Sequence, residues 1–72
     1  MIGRIIMEMR KSAGFNQKEL SNILGIAQTT LSGYETNNSM PNFDTVFKIA
    51  KICDFDIAFI DKNSGEIKKV EI

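Results

Sequence analysis

Gln28, Thr29 and Thr30 stand in a row ahead of an apolar Leu31, with Ser32 and Gly33 one turn further on, and Asn16 and Gln17 open an earlier polar stretch. Carboxamides and hydroxyls do one kind of chemistry unaided: they donate and accept hydrogen bonds, and a glutamine amide presents a donor and an acceptor in one plane. As nucleophiles they need a neighbouring base. The chain has no histidine and one cysteine, Cys53, so neither Ser-His-Asp nor Cys-His catalysis can be assembled, and the usual zinc ligand sets are missing. An enzyme is not expected and no cofactor or metal is indicated. Asp54, Asp56 and Asp61 lack the spacing of a calcium loop and read as a solvated face. What remains is recognition by hydrogen bonding, and the question becomes which elements hold those groups.

Seventy-two residues at 43% hydrophobic content make one small domain with a thin core. A single cysteine permits no internal disulfide, so a partner chain is the expected support at this size. Nine basic side chains balance nine acidic ones, so composition carries no signal for a polyanionic partner. The distribution adds little, with four basic and three acidic residues in 1–41, two and four in 42–61, and three and two in 62–72. Arg4 and Glu8 interrupt the apolar N-terminal stretch, which is therefore neither a secretory core nor a membrane span, and a cytoplasmic protein with no membrane partner is expected. Met1, Met7, Met9 and Met40 are read as core or edge residues and Cys53 as a small buried hydrophobe.

The apolar period is helical up to about Asp54 and alternating beyond it. Ile2, Ile5, Ile6, Met9 and Ala13 form one stripe, so a first helix is expected over about residues 2 to 13, closed by Gly14. Asn16 with Glu19 three residues later starts a second helix bearing Leu20, Ile23 and Leu24, and Gly25 stops it. A third runs from about Ala27 to Glu35 with Leu31 and Tyr34 inward, and a fourth opens at Asn42 or Pro41 and carries Phe43, Val46, Phe47, Ile49, Ala50 and Cys53. Lys62-Asn63-Ser64-Gly65 is a turn cluster. If Asp61 pairs with Glu66 across it, Phe55, Ile57 and Phe59 fall opposite Ile72, Val70 and Lys68 on one mostly apolar face. An isolated hairpin is marginal in water, so that face is expected to cover the helices or to meet the same hairpin of a second subunit.

The stretch from Gln17 to Glu35 places two short helices about a tight turn at Gly25, with small Ser21 at the crossing and Leu20, Ile26, Leu31 and Tyr34 to fix the angle. Here the sequence resembles the helix-turn-helix domain of the phage repressor and Cro type, the XRE family. The resemblance covers about residues 2 to 57 and rests on Arg10, Gly14, Gln17, Leu20, Gly25, Leu31, Ser32, Glu35 and Pro41. It implies a mainly α fold, a compact four- to five-helix repressor-like domain over residues 1–55, and the short C-terminal β-hairpin read from the alternating segment, 56–72, follows it as the expected dimerisation element. It further implies that Arg10 pairs with Glu35. Gly33 departs from the pattern, lacking a side chain where relatives often read a base, and Asn37, Asn38 and Ser39 are neutral where many relatives carry basic residues.

A helix-turn-helix inserts its second helix into the major groove of double-stranded DNA while the first points its N-terminus at a phosphate. The expected base contacts are Gln28, Thr29, Thr30 and Gly33, and the expected phosphate contacts are Asn16, Gln17, Ser32, Asn37 and Asn38. Asn16 serves equally well as a plain cap. A glutamine amide matches adenine N6 and N7 and a threonine methyl packs on thymine, so A·T pairs are expected in the operator. The implied function is a transcriptional regulator, a repressor, binding a palindromic operator as a homodimer held by Phe55, Ile57, Phe59, Val70 and Ile72. With no sensor domain expected in the chain, any switch would be a protein partner or proteolysis. An antirepressor protein would be such a partner. Two alternatives stand: a DNA-binding antitoxin of a toxin-antitoxin operon with a cognate toxin as partner, and a protein-interaction module that keeps the fold without binding DNA. The abundance of Ile, Lys and Asn fits an A·T-rich bacterial or phage genome.

Overall fold

A computed structural model of the chain describes residues 1–71. Four helices come first, α1 (Ile2–Ser12), α2 (Gln17–Leu24), α3 (Gln28–Glu35) and α4 (Phe43–Ile52), and an antiparallel hairpin follows, β1 (Ala58–Ile60) and β2 (Ile67–Lys69). Local chemistry sets most boundaries. Asn16 and Asn42 each accept an N–H three residues on, from Glu19 at 2.7 Å and Thr45 at 2.8 Å, so both helices begin with a side-chain cap. Gly25 ends α2 at φ +72°, in the left-handed region that only glycine enters without cost.

The core lies where the four helices meet and consists of Ile6, Met9, Leu20, Leu31, Ile49, Ala50 and Cys53. Ser21 is buried at the α2 crossing, and its hydroxyl donates to the Lys18 carbonyl at 3.0 Å. Burial also pushes the Cys53 thiol above its usual range, as expected of an inert apolar filler. The first helical stripe divides, however: Ile6 and Met9 enter the core while Ile5 is 52% exposed and Ala13 is exposed. The methionines divide too, Met9 inside and Met1 and Met40 on the surface.

One close approach went unread in the sequence. A Cβ on Gly3 would come within 2.5 Å of the Glu35 carbonyl and 2.6 Å of the Tyr34 carbonyl, so the start of α1 sits directly on the end of α3. The Gly3 N–H, one of the unpaired first-turn donors of α1, is taken up by the Asn37 side-chain oxygen at 3.0 Å. Positive and negative helix ends thus face each other.

The hairpin has the expected register, with Phe59 opposite Lys68 and the Asp61 N–H donating to the Glu66 carbonyl at 2.8 Å. Its strands are three residues each, shorter than the two apolar runs suggested. The expected apolar face is also redistributed. Ile57 packs against the core and Val70 is half-buried, whereas Phe55 and Phe59 are exposed, and Ile72 lies outside the described residues. Ile60 and Ile67 pair on the opposite face at 67% and 66% exposure. Two short strands cannot bury both faces against one helix bundle. Asp56, from the group read as a solvated face, reaches Lys51 at 3.6 Å and Lys69 at 3.4 Å and ties the hairpin to the end of α4. No helix among the described residues is long and apolar enough to cross a membrane.

Candidate nucleic-acid interface

The α2–turn–α3 unit is held from both sides. On α2, Asn16 and Glu19 form a reciprocal capping box, the Glu19 carboxylate accepting the Asn16 N–H at 2.9 Å. At the turn, the Ile26 N–H donates to the Ser21 carbonyl at 3.0 Å, and Ala27 accepts from Thr30 and Leu31 to start α3. Leu31 is fully buried and anchors α3, with Tyr34 half-buried beside it. At 3.6 residues per turn the side opposite Leu31 carries Thr29, Gly33 and the cap residue Thr36 with Ser32 on its flank, while Gln28, one turn before Leu31, is open at the helix start. Gln28, Thr29 and Thr36 are exposed, and Ser32, Gly33 and Thr30 are partly covered.

Behind this face lies a buried ion pair. Arg10 donates from Nε to Glu35 Oε2 at 2.7 Å and from Nη2 to Oε1 at 3.0 Å, a two-pronged contact, and its Nη1 donates to the Phe15 carbonyl at 3.0 Å. Arg10 is 8% and Glu35 6% exposed. The hydrogen bond to Glu35 raises the guanidinium pKa still further. For Glu35, burial alone would push the carboxyl up, but hydrogen bonds from Arg10 and Gln17 and the charges of Arg10 and Lys11 outweigh it and hold the pKa below the ordinary value. The pair fastens α1 to the end of α3, as the resemblance implied.

The sequence named Gln17 for its position at a helix start; the structure adds a second engagement. Its Nε2 donates to Glu35 Oε1 at 3.0 Å, so the half-buried side chain is braced against the ion pair with one amide hydrogen and its carbonyl oxygen left over. Asn16 uses its oxygen in the cap and Asn37 uses its oxygen on Gly3, which leaves each with an NH2 to donate. The loop closes tightly on α3: the Gly33 carbonyl accepts from Asn38 at 2.9 Å and Ser39 at 3.2 Å, and a Cβ on Gly33 would meet Ser39 Oγ at 3.0 Å. A side chain at 33 would therefore ask the Ser39 hydroxyl to give by a few tenths of an ångström. Asn37 holds φ +64°, where asparagine is tolerated, and Asn38 is exposed beside it.

With Arg10 neutralised by Glu35, α2 and α3 carry one basic side chain, Lys18, which is exposed. The surface can offer hydrogen bonds from amides and hydroxyls together with the first-turn N–H groups of α2, and little net positive charge. Among the described residues no cluster could hold a metal ion.

The helix-turn-helix family model matches residues 6–60. The chain is similar to the HTH-type transcriptional regulator ImmR of Bacillus subtilis, at 35% identity over 97% of this chain and 55% of that protein. It is 31% identical to the cryptic phage CTXphi transcriptional repressor RstR of Vibrio cholerae, over 89% of this chain and 58% of that one. It is 29% identical to antitoxin HipB of Escherichia coli K12, over 88% of this chain and 72% of that one. The chain thus spans little more than half the length of the first two. No solved structure matches it. A buried two-pronged bridge from α1 to α3, a left-handed glycine between α2 and α3 and the family match over most of the chain agree, and the chain belongs to the helix-turn-helix family of the XRE, phage-repressor type.

Proposed function

We propose that this chain is a sequence-specific DNA-binding transcriptional regulator that represses by occupying a palindromic operator in the cytoplasm as a homodimer. The observation that carries this reading is the outer side of α3: Gln28 and Thr29 stand exposed on a helix anchored by buried Leu31. Gln28, Thr29 and Thr30 read base edges, with A·T pairs favoured by the amide and the threonine methyls, and Gly33 lets the helix backbone approach closely. Phosphate contacts come from the NH2 groups of Asn16, Gln17, Asn37 and Asn38, the Ser32 hydroxyl and the start of α2. The names of the Bacillus and Vibrio relatives, a transcriptional regulator and a phage repressor, support the same reading.

Selection from a random duplex library at low and moderate salt tests it. Enrichment of a palindrome with A·T-containing half-sites is the expected result, and a folded protein that enriches nothing overturns the reading. A second reading, a DNA-binding antitoxin, is favoured by one observation: the likeness to antitoxin HipB covers 72% of that protein and extends through most of this chain. Stable copurification with a toxin partner distinguishes it from a simple repressor.

A further inference from the structure

Among the described residues, six of the nine large hydrophobic side chains that stand exposed gather in one place. Met1 and Ile5 of the α1 side, Met40 and Phe43 at the start of α4, and Phe55 and Phe59 of the hairpin arm line an open groove of about 830 Å³. Each is between 39% and 83% exposed. Gathered in one place rather than scattered singly over the surface, they make the kind of apolar patch that marks an interaction site.

We infer that this groove receives the hairpin of a second copy of the chain, Phe59 of each protomer entering the groove of the other about a two-fold axis. The inference rests on the dimeric reading above and replaces the flat sheet-to-sheet face expected from the sequence. Three features select a second copy. The groove ends on the hairpin arm itself, so the element that would enter is continuous with the surface that would receive it, as an isologous interface requires. The charges are complementary: Glu8 lies on the groove wall, and Lys68 is the cross-strand neighbour of Phe59. Among the described residues each sits in an exposed, loose pair, Glu8 with Arg4 at 3.7 Å and Lys68 with Glu66 at 3.6 Å, which an intermolecular Glu8–Lys68 contact can replace. Finally, Met1 and Met40 on the rim are adaptable side chains, able to fit an aromatic ring from the partner.

Sedimentation of the free chain and its variants tests this. Wild type is expected to be a dimer. Phe59→Glu, which removes an already exposed ring and so leaves the fold intact by circular dichroism, raises the dimer dissociation constant at least about tenfold. Glu8→Lys and Lys68→Glu each weaken the dimer about two- to fivefold, and together they restore it. A dimer indifferent to Phe59→Glu, charge reversals without mutual rescue, or a folded wild-type monomer each overturns the inference. Operator selection run on the same samples separates the two claims: a palindrome bound by a dimer that ignores these variants sinks the groove and leaves the regulator, whereas a groove-dependent dimer that enriches no DNA sinks the regulator and leaves the groove.

Discussion

Glu35 does two jobs with one carboxylate, joining α1 to α3 through Arg10 and bracing Gln17 at the start of α2. Removing one member of a buried pair strands the other charge, so Glu35→Ala or Arg10→Ala should cost about 3–5 kcal/mol, whereas Arg10→Met with Glu35→Leu should cost less than either. Urea denaturation of the three variants checks the ordering. The same pair makes a pH prediction. Because the fold holds the Glu35 pKa below its unfolded value, its stabilising contribution is fully present above the ordinary carboxylate range and is lost as pH falls through the lowered value. The double variant should therefore lose less stability on acidification than wild type. Arg10 and Glu35 were legible in the sequence only through the family pattern, since 25 residues separate them and no local rule joins them. The Gln17 brace was not legible at all, because it depends on the two pairing partners meeting in space.

Among the elements, what local chemistry dictates was readable and what tertiary packing dictates was not. The two asparagine caps, the glycine stop of α2 and the Asp61–Glu66 closure of the hairpin all follow from side chains acting on backbone a few residues away. Gly3 is the opposite case: nothing near it in sequence marks it, yet it admits the α3 carbonyls to the α1 backbone. Alanine there is about 1 kcal/mol better for an isolated helix, but the atoms it would strike are backbone carbonyls that cannot swing aside. Steric cost should win, and Gly3→Ala should destabilise by about 1–3 kcal/mol in chemical denaturation. The exposure of Ile5 escaped the sequence for a related reason, since periodicity identifies an apolar stripe without saying how much of it the neighbouring elements can cover.

At the scale of the whole molecule, neutrality is the governing property. Nine charges of each sign, with the one arginine behind α3 internally paired, leave hydrogen-bond geometry rather than net charge to hold DNA in the proposed function. Each neutralised phosphate adds about −0.9 to the salt slope, so with Lys18 the single basic side chain of α2 and α3 the slope per protomer should be shallow. In the proposed function, affinity then comes from two half-sites held by one dimer, which would link the apolar groove to the proposed reading helix even though the two are different surfaces. The most direct measurement is binding of the selected operator, and of each single base-pair variant of it, by wild type and by Gln28→Ala. If Gln28 reads a base, the substitution costs about 1–3 kcal/mol on the operator and abolishes discrimination at one A·T pair while leaving the other positions as selective as before. A uniform loss across all sequences, or no loss, would contradict the assignment of α3 as the reading helix.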